Sequence, residues 1–310
     1  MSIIIKFFLT MIAIVYSLNA QLYTHSIKPQ SLKSDKLMNI KILDTVAVKF
    51  DDFNGIEFHE ISALAYQKNK LYALSDRGYL YHLNIKIKKN RIKSLKLVKA
   101  LELKRKNSKR LKKKHRDAEG MVLVDEELYI SFERKPRVDV FSLNGKKIKK
   151  YEIQKELNNI DNYQTKNKAL ESIAYSKKHG IVTAPEISLL GNDENLHVVY
   201  AKNKQYKFRA TSKLSAMEFI DENRLLTLER SFNVLTRQRV VTLNEIDLRK
   251  SHNEISRARL LAVMSSDDGW NLDNFEGLTK VGKNKFLMVS DDSGGYFDKT
   301  VFVLFKVLRD

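Results

Sequence analysis

Along this chain, short apolar runs come in pairs. Five segments open on Ser or Glu followed by small and apolar residues: Ser62-Ala63-Leu64, Glu119-Gly120-Met121, Glu171-Ser172-Ile173, Ser215-Ala216-Met217 and Glu276-Gly277-Leu278. Each is followed, across a polar turn, by a second apolar run that ends in an acid: Asp76, Glu133, Glu186, Glu229 or Asp291. The closing acid lies 14, 14, 15, 14 and 15 residues after the opening residue, while the turns fall at 67–70, 125–127, 177–180, 221–223 and 282–285. Two apolar runs of strand length around a short polar turn predict a β-hairpin.

The five hairpins start 57, 52, 44 and 61 residues apart. That spacing suits the four-stranded blades of a β-propeller. Residues 40–50 and 301–307 both read as strands, well placed to share one blade and close the ring. A sixth unit fits within 237–261, where 239–243 alternates, so the expectation is an all-β propeller of six blades with five hairpins visible. Helical periodicity is scarce, and 166–176 is the one stretch where a helix competes.

The N-terminus carries Lys6, an apolar run from Phe7 to Tyr16, and small residues at Ser17 and Ala20 that offer cleavage points. This is the pattern of a secretory signal. Its apolar run of about ten residues is short for a membrane span, which needs roughly 20; an uncleaved anchor is the alternative. The expected organisation is a signal at 1–20, a linker at 21–39 and the propeller at 40–310, with the mature protein periplasmic or secreted. The chain has no cysteine, which removes disulfides, thiolate metal sites, cysteine nucleophiles and lipoprotein anchoring.

The net charge of +19 is local. Residues 86–116 hold sixteen Lys or Arg against the single acid Glu102, and so carry fifteen of the nineteen net charges. This insertion begins with strand-like alternation and ends as a polar run, expected to be an exposed loop or ribbon. It contains no aromatic residue to stack on bases, so a nucleic-acid partner is not expected. For an exported protein its partners would be an anionic membrane surface, an envelope polymer or a phosphorylated substrate, with a simple solvated face as the alternative.

Hairpin geometry brings the opening and closing residues near each other at the open end. Glu119 is therefore expected beside Glu133, Glu171 beside Glu186, and Glu276 beside Asp291. Like charges so placed need a cation, an Arg or a shared proton. Arg77, Arg134 and Arg230 adjoin the closing acids, and Asp291-Asp292-Ser293-Gly294 offers oxygens suited to a hard cation such as calcium. Since inner strands line a propeller's channel, these residues form a ring at one mouth, either as a site or as ties between blades. No nucleophile elbow, Walker loop or His-Glu-x-x-His motif is present, and the seven histidines are dispersed singly.

Ser62-Ala63-Leu64-Ala65-Tyr66 with 71–78, Arg116-Asp117-Ala118-Glu119-Gly120-Met121, 225–232, and Asn274-Phe275-Glu276-Gly277-Leu278 with Val289-Ser290-Asp291-Asp292 together resemble the phytase-like, "esterase-like activity of phytase", family of exported bacterial proteins. The likeness spans roughly 56–304 and departs from it at Ser62-Ala63, at Glu171-Ser172 and in the length of the basic insertion. It implies a β-propeller and hydrolysis of phosphate or carboxylate esters, with calcium as cofactor. The expected hydrolase would hold calcium with Glu119, Glu133, Glu276, Asp291 and Asp292. Glu119, Glu171 and Glu276 would serve the chemistry, and Arg77, Arg134 and Arg230 would stabilise developing negative charge on an anionic small-molecule or polymer substrate. The competing expectation is a non-enzymatic, envelope-associated binding propeller.

Overall fold

Each of the five predicted hairpins forms, and each is the antiparallel inner pair of a separate sheet in the computed structural model, which describes residues 17–193, 195–249, 255–292 and 299–308. The inner strands are Ile61–Gln67, Ala118–Val124, Leu170–Ser176, Lys213–Phe219 and Asn274–Gly282, and their sheets are called blades 1 to 5 in that order. Turn chemistry fixes the hairpins locally. The central residues Lys68-Asn69 and Asp125-Glu126 all take positive φ, between 47° and 66°. This is the two-residue turn whose twist matches that of the flanking strands.

Blade 1 continues outward through Tyr79–Lys88 and Arg91–Glu102, blade 2 through Arg137–Ser142 and Lys147–Tyr151, and blade 3 through Leu196–Tyr200 and Gln205–Arg209. Blade 4 is completed by Arg239–Asp247 and Arg259–Ser265. Here the expected count of six blades is corrected to five. The alternation at 239–243 belongs to the third strand of blade 4, paired to Arg224–Phe232 on one side and to Arg259–Ser265 on the other. The stretch 166–176 holds no helix. Its strand Leu170–Ser176 is buried on both faces, which erases the alternation that would have marked it.

The ring closes as expected. Ile40–Lys49 pairs antiparallel with Thr300–Val307 in blade 5, in a register that sets Val301 opposite Ala47 and Phe302 opposite Val46. Neighbouring inner strands pack against one another all the way round, blade 5 against blade 1 included. The apolar core divides accordingly into five clusters, one at each blade interface. Phe286 and Phe305 meet Leu228 and Leu243 between blades 4 and 5; Phe302 and Leu304 meet Leu64 and Leu83 across the seam between the last blade and the first. Burying one such side chain is worth roughly 1.5–3 kcal/mol, so the seam is held by packing as well as by the shared sheet.

Residues 18–24 straddle the end of the expected signal and the start of the linker, and they add edge strands. Leu18–Asn19 pairs with blade 1, and Gln21–Thr24 pairs with blade 5. The apolar run at 7–16 lies outside the described residues, as do residues 293–298 with Ser293 and Gly294; among the described residues no helix is long and apolar enough to cross a membrane. The basic insertion divides as its pattern suggested: outer strands of blade 1, then a loop with a single 3-10 turn at Lys113–His115.

Candidate active site

In every blade the inner hairpin slips register at the same place. Ile61 pairs with Ser75 but Ala63 with Leu74, and equivalent shifts bracket Glu119, Glu171, Ser215 and Glu276. All five opening residues are thus the extra residue of a β-bulge, a device that re-aims a side chain out of the regular pleat. The residue after each bulge is small, because the inner strands converge there. A Cβ at Gly120 would lie 2.8 Å from the backbone oxygen of Glu171, and one at Gly277 would lie 3.3 Å from the backbone of Ala63. The signature of Ser or Glu followed by a small residue is therefore one bulge plus one close approach. Beneath the bulges the axis narrows to a cavity of about 10 Å³ bordered by Ser62, Glu119, Ser172, Ser215 and Glu276, room for about one water.

The bulges also correct the assignment of the closing position. It falls one residue beyond the partner of the residue that precedes each bulge: Asp76, Glu133, Glu186, Arg230 and Asp291. In blade 4 the repeat therefore places Arg230 there, not Glu229. Glu229 is fully buried and accepts from Thr211 N and Thr211 Oγ1, each at 2.9 Å, from Thr227 Oγ1 at 3.0 Å and from Asn244 Nδ2 at 2.8 Å. It is a satisfied structural carboxylate.

Arg230 is the cation within a ring of acids. Its Nη2 pairs with Glu276 Oε1 at 2.8 Å and lies 3.9 Å from Glu171 Oε1 and 4.0 Å from Glu186 Oε1. Its Nε donates to Ser215 Oγ at 2.7 Å, and Nη1 donates to Asn274 Oδ1. The Nδ2 of Asn274 donates to Glu276 Oε1 at 2.8 Å and to Asp291 Oδ2 at 3.3 Å, which keeps two like charges adjacent. Arg77 pairs with Glu60, and Arg134 Nε lies 2.6 Å from Asp117 Oδ2.

On the other side of the mouth Asp117, Glu119 and Glu133 each offer a carboxylate oxygen within 4.8 Å of the others. Burial, followed by Glu171, Glu276, Glu133 and Asp117, pushes the Glu119 carboxyl well above the usual range, and burial followed by Glu186 does the same to Glu171. Burial pushes Glu133 and Asp76 up to about 7 and Glu276 to about 8, the last despite the opposing pull of Arg230. One guanidinium does not neutralise this ring. The mouth retains an unmet demand for protons or cations.

The structure brings Glu119, Glu133, Glu171, Glu276, Asp291 and Arg230 to one mouth, with Arg77 and Arg134 at its rim. Asp292 is engaged differently: its Oδ1 accepts from Glu60 N at 2.8 Å and its Oδ2 from Thr300 Oγ1 at 2.9 Å, tying blade 5 to the entry of blade 1.

Residues 56–294 match the phytase-like family, described as having the esterase-like activity of phytase. The chain belongs to the phytase-like family. No curated protein sequence matches it. Among solved structures it is similar to the PQQ-bound form of aldose sugar dehydrogenase from Streptomyces coelicolor, at 10% identity and a TM-score of 0.45, covering 90% of this chain and 100% of that one. It is also similar to a chain of the mitotic checkpoint complex, at 9% identity and a TM-score of 0.40, covering 86% and 69%. The propeller assignment rests on the strand pairing above.

Within this phytase-like chain, Asp117, Glu60 and Asn274 belong to the mouth but were not among the expected site residues. Each stands two residues before a bulge, the position filled by Ala169 and Lys213 in blades 3 and 4. Lys213 Nζ lies 3.8 Å from Glu186 Oε1. Reading the repeat two residues upstream would have found this layer.

Proposed function

We propose that the chain is an ester hydrolase acting on phosphate or carboxylate esters at the acidic mouth of the propeller, assisted by calcium. The observation that carries this is the convergence of Asp117, Glu119 and Glu133 within 4.8 Å. The donor set is all oxygen, with no imidazole or thiolate, and burial among other acids raises its Glu119 and Glu133 carboxyls even with Arg134 on Asp117, which suits a hard cation that takes oxygen ligands. Bound there, calcium would polarise the ester oxygen and acidify a water.

The chain's own residues supply the remaining chemistry. Glu276, with a carboxyl at about 8, keeps its proton at neutral pH and can donate it to a leaving oxygen. Arg230 and Asn274 fix its orientation. Arg77 and Arg134 each place part of the guanidinium fork on a carboxylate and are about half exposed, so the rest of the fork is available to an oxyanion. With export and removal of 1–20, the mouth would face the periplasm or the medium.

A second reading, a binding propeller, is favoured by those same Arg–acid pairs, which tie the mouth together without any reaction. Hydrolysis of p-nitrophenyl phosphate and p-nitrophenyl butyrate, with calcium and with chelator, separates the two. The hydrolase reading expects calcium-dependent turnover that Glu119→Gln abolishes. Turnover of neither ester with any divalent cation would leave the binding propeller.

A further inference from the structure

Blade 2 carries a cavity of about 490 Å³ at its third and fourth strands. It is bordered by Arg105 and Lys112 from the basic loop, by Lys135 and Arg137 at the start of the third strand of the blade, and by Lys147 and Lys150 on its fourth. We infer that this cavity is a binding site for a compact soluble anion carrying several phosphate groups, distinct from the acidic mouth.

The charge at the site is lopsided. Six Lys or Arg border the cavity, and the acid among its lining residues, Asp139, is 1% exposed. Both oxygens of Asp139 are spent within the wall: Oδ2 accepts from Arg137 Nε at 2.8 Å and Oδ1 from Lys147 Nζ at 2.6 Å. Arg137 is itself locked in place. Its Nη1 donates to Lys135 O at 2.9 Å, its Nη2 donates to His115 O at 2.6 Å, and its guanidinium stacks 3.8 Å from the centre of the Phe132 ring. A rigid cationic floor is thereby built before any ligand arrives, which spares the cost of ordering it on binding.

A further observation points to an anionic ligand. Arg105 borders the cavity, and its Nε is shielded from solvent without a hydrogen-bond partner among the described residues. The volume falls within the ordinary range for small-molecule pockets, about 300–1,000 Å³. Clustered Lys and Arg in a concave, partly dry site recognise phosphate oxygens through charge-assisted hydrogen bonds. A lone orthophosphate would meet only part of the set, so an anion with several phosphates is the better fit. Binding here needs neither a cation at the mouth nor hydrolysis.

Calorimetric titration with sodium tripolyphosphate in the presence of chelator tests this on the full chain. Wild type should bind tripolyphosphate at least tenfold more tightly than orthophosphate. The double variant Lys112→Ala/Lys150→Ala, both outside the locked wall, should weaken tripolyphosphate binding at least tenfold. The control Lys86→Ala/Lys88→Ala, which removes the same charge from the outer edge of blade 1, should change it less than twofold. Equal losses in both variants would reduce the site to diffuse surface charge, and absence of tripolyphosphate binding at low salt would overturn it. Phosphatidylglycerol vesicles form the remaining arm: binding to vesicles that depends on Lys112 and Lys150, without binding of soluble tripolyphosphate, would also overturn the soluble-anion assignment.

Discussion

Arg230 occupies the position where each of the other four blades carries a carboxylate, and its guanidinium pairs with Glu276 at 2.8 Å while lying within 4.0 Å of Glu171 and Glu186. A single cation therefore holds acids from two other blades, 3 and 5, at the mouth. Removing it leaves Glu276 and Glu171 without their cationic partner, and breaking such a buried pair from one side costs about 3–5 kcal/mol. Arg230→Met should lose stability of that order at pH 8.5, measured by urea unfolding with chelator, and should regain part of it at pH 6, where Glu276 is protonated. A loss independent of pH would show that Arg230 acts by packing alone.

The raised carboxyls make the cation-free protein sensitive to alkali. Folded pKa values of about 7 for Asp76 and Glu133 and about 8 for Glu276 lie above those of the unfolded chain. The folded state thus holds more protons, and its stability is full below the unfolded pKa and is lost as pH rises through the folded values. His82 and His197, both lowered to about 4 by burial, work in the opposite sense but finish titrating near 6.5. Between pH 6.5 and 8.5 the melting temperature in chelator should therefore fall. A rise over that window would contradict the charge balance described here.

Calcium should reverse that loss. A ligand that binds only the folded ring stabilises it by mass action, about 2.7 kcal/mol at 100 times its dissociation constant, and the shift should grow with pH as cation replaces proton. Asp117→Asn or Glu133→Gln should abolish the calcium shift, whereas Glu276→Gln should preserve most of it, because Glu276 is held by Arg230 and Asn274. Loss of the shift in Glu276→Gln alone would move the cation to the Glu276–Asp291 side of the mouth.

The small residues after the bulges should resist enlargement. Gly120→Ala would set a Cβ 2.6 Å from Ser131 Oγ and 2.8 Å from the Glu171 backbone. Backbone cannot yield cheaply in a closed ring, so this single methyl should cost about 1–3 kcal/mol in urea unfolding. Gly55→Ala is the control for ring crowding, since nothing lies within 4 Å of its added Cβ and only its positive φ is strained. Equal costs for both substitutions would count against the close approach.

Much of the fold was legible because hairpins are local. Paired apolar runs, their turns and the terminal strands that close the ring could each be read from a few neighbouring residues, and all of them form. The blade number was not legible, because 239–243 alternates equally well as a new blade or as the third strand of an existing one. The site was half legible: Glu119, Glu171 and Glu276 stood out as repeated openings. Asp117 did not, having no like residue at the matching place in blades 3 and 4.

The sequence by itself determined a repeated hairpin with an acid at its open end, the phytase-like kinship and the local concentration of basic charge, since each is a matter of residue order. Only the tertiary structure decided that the opening residue is a bulge, that Arg230 rather than Glu229 enters the ring, and that basic residues of the loop and blade 2 share one cavity. The reason is physical. A one-residue slip between strands leaves no trace in the spacing of either strand but changes which side chain faces the axis, and closing five blades into a ring brings together charges more than a hundred residues apart.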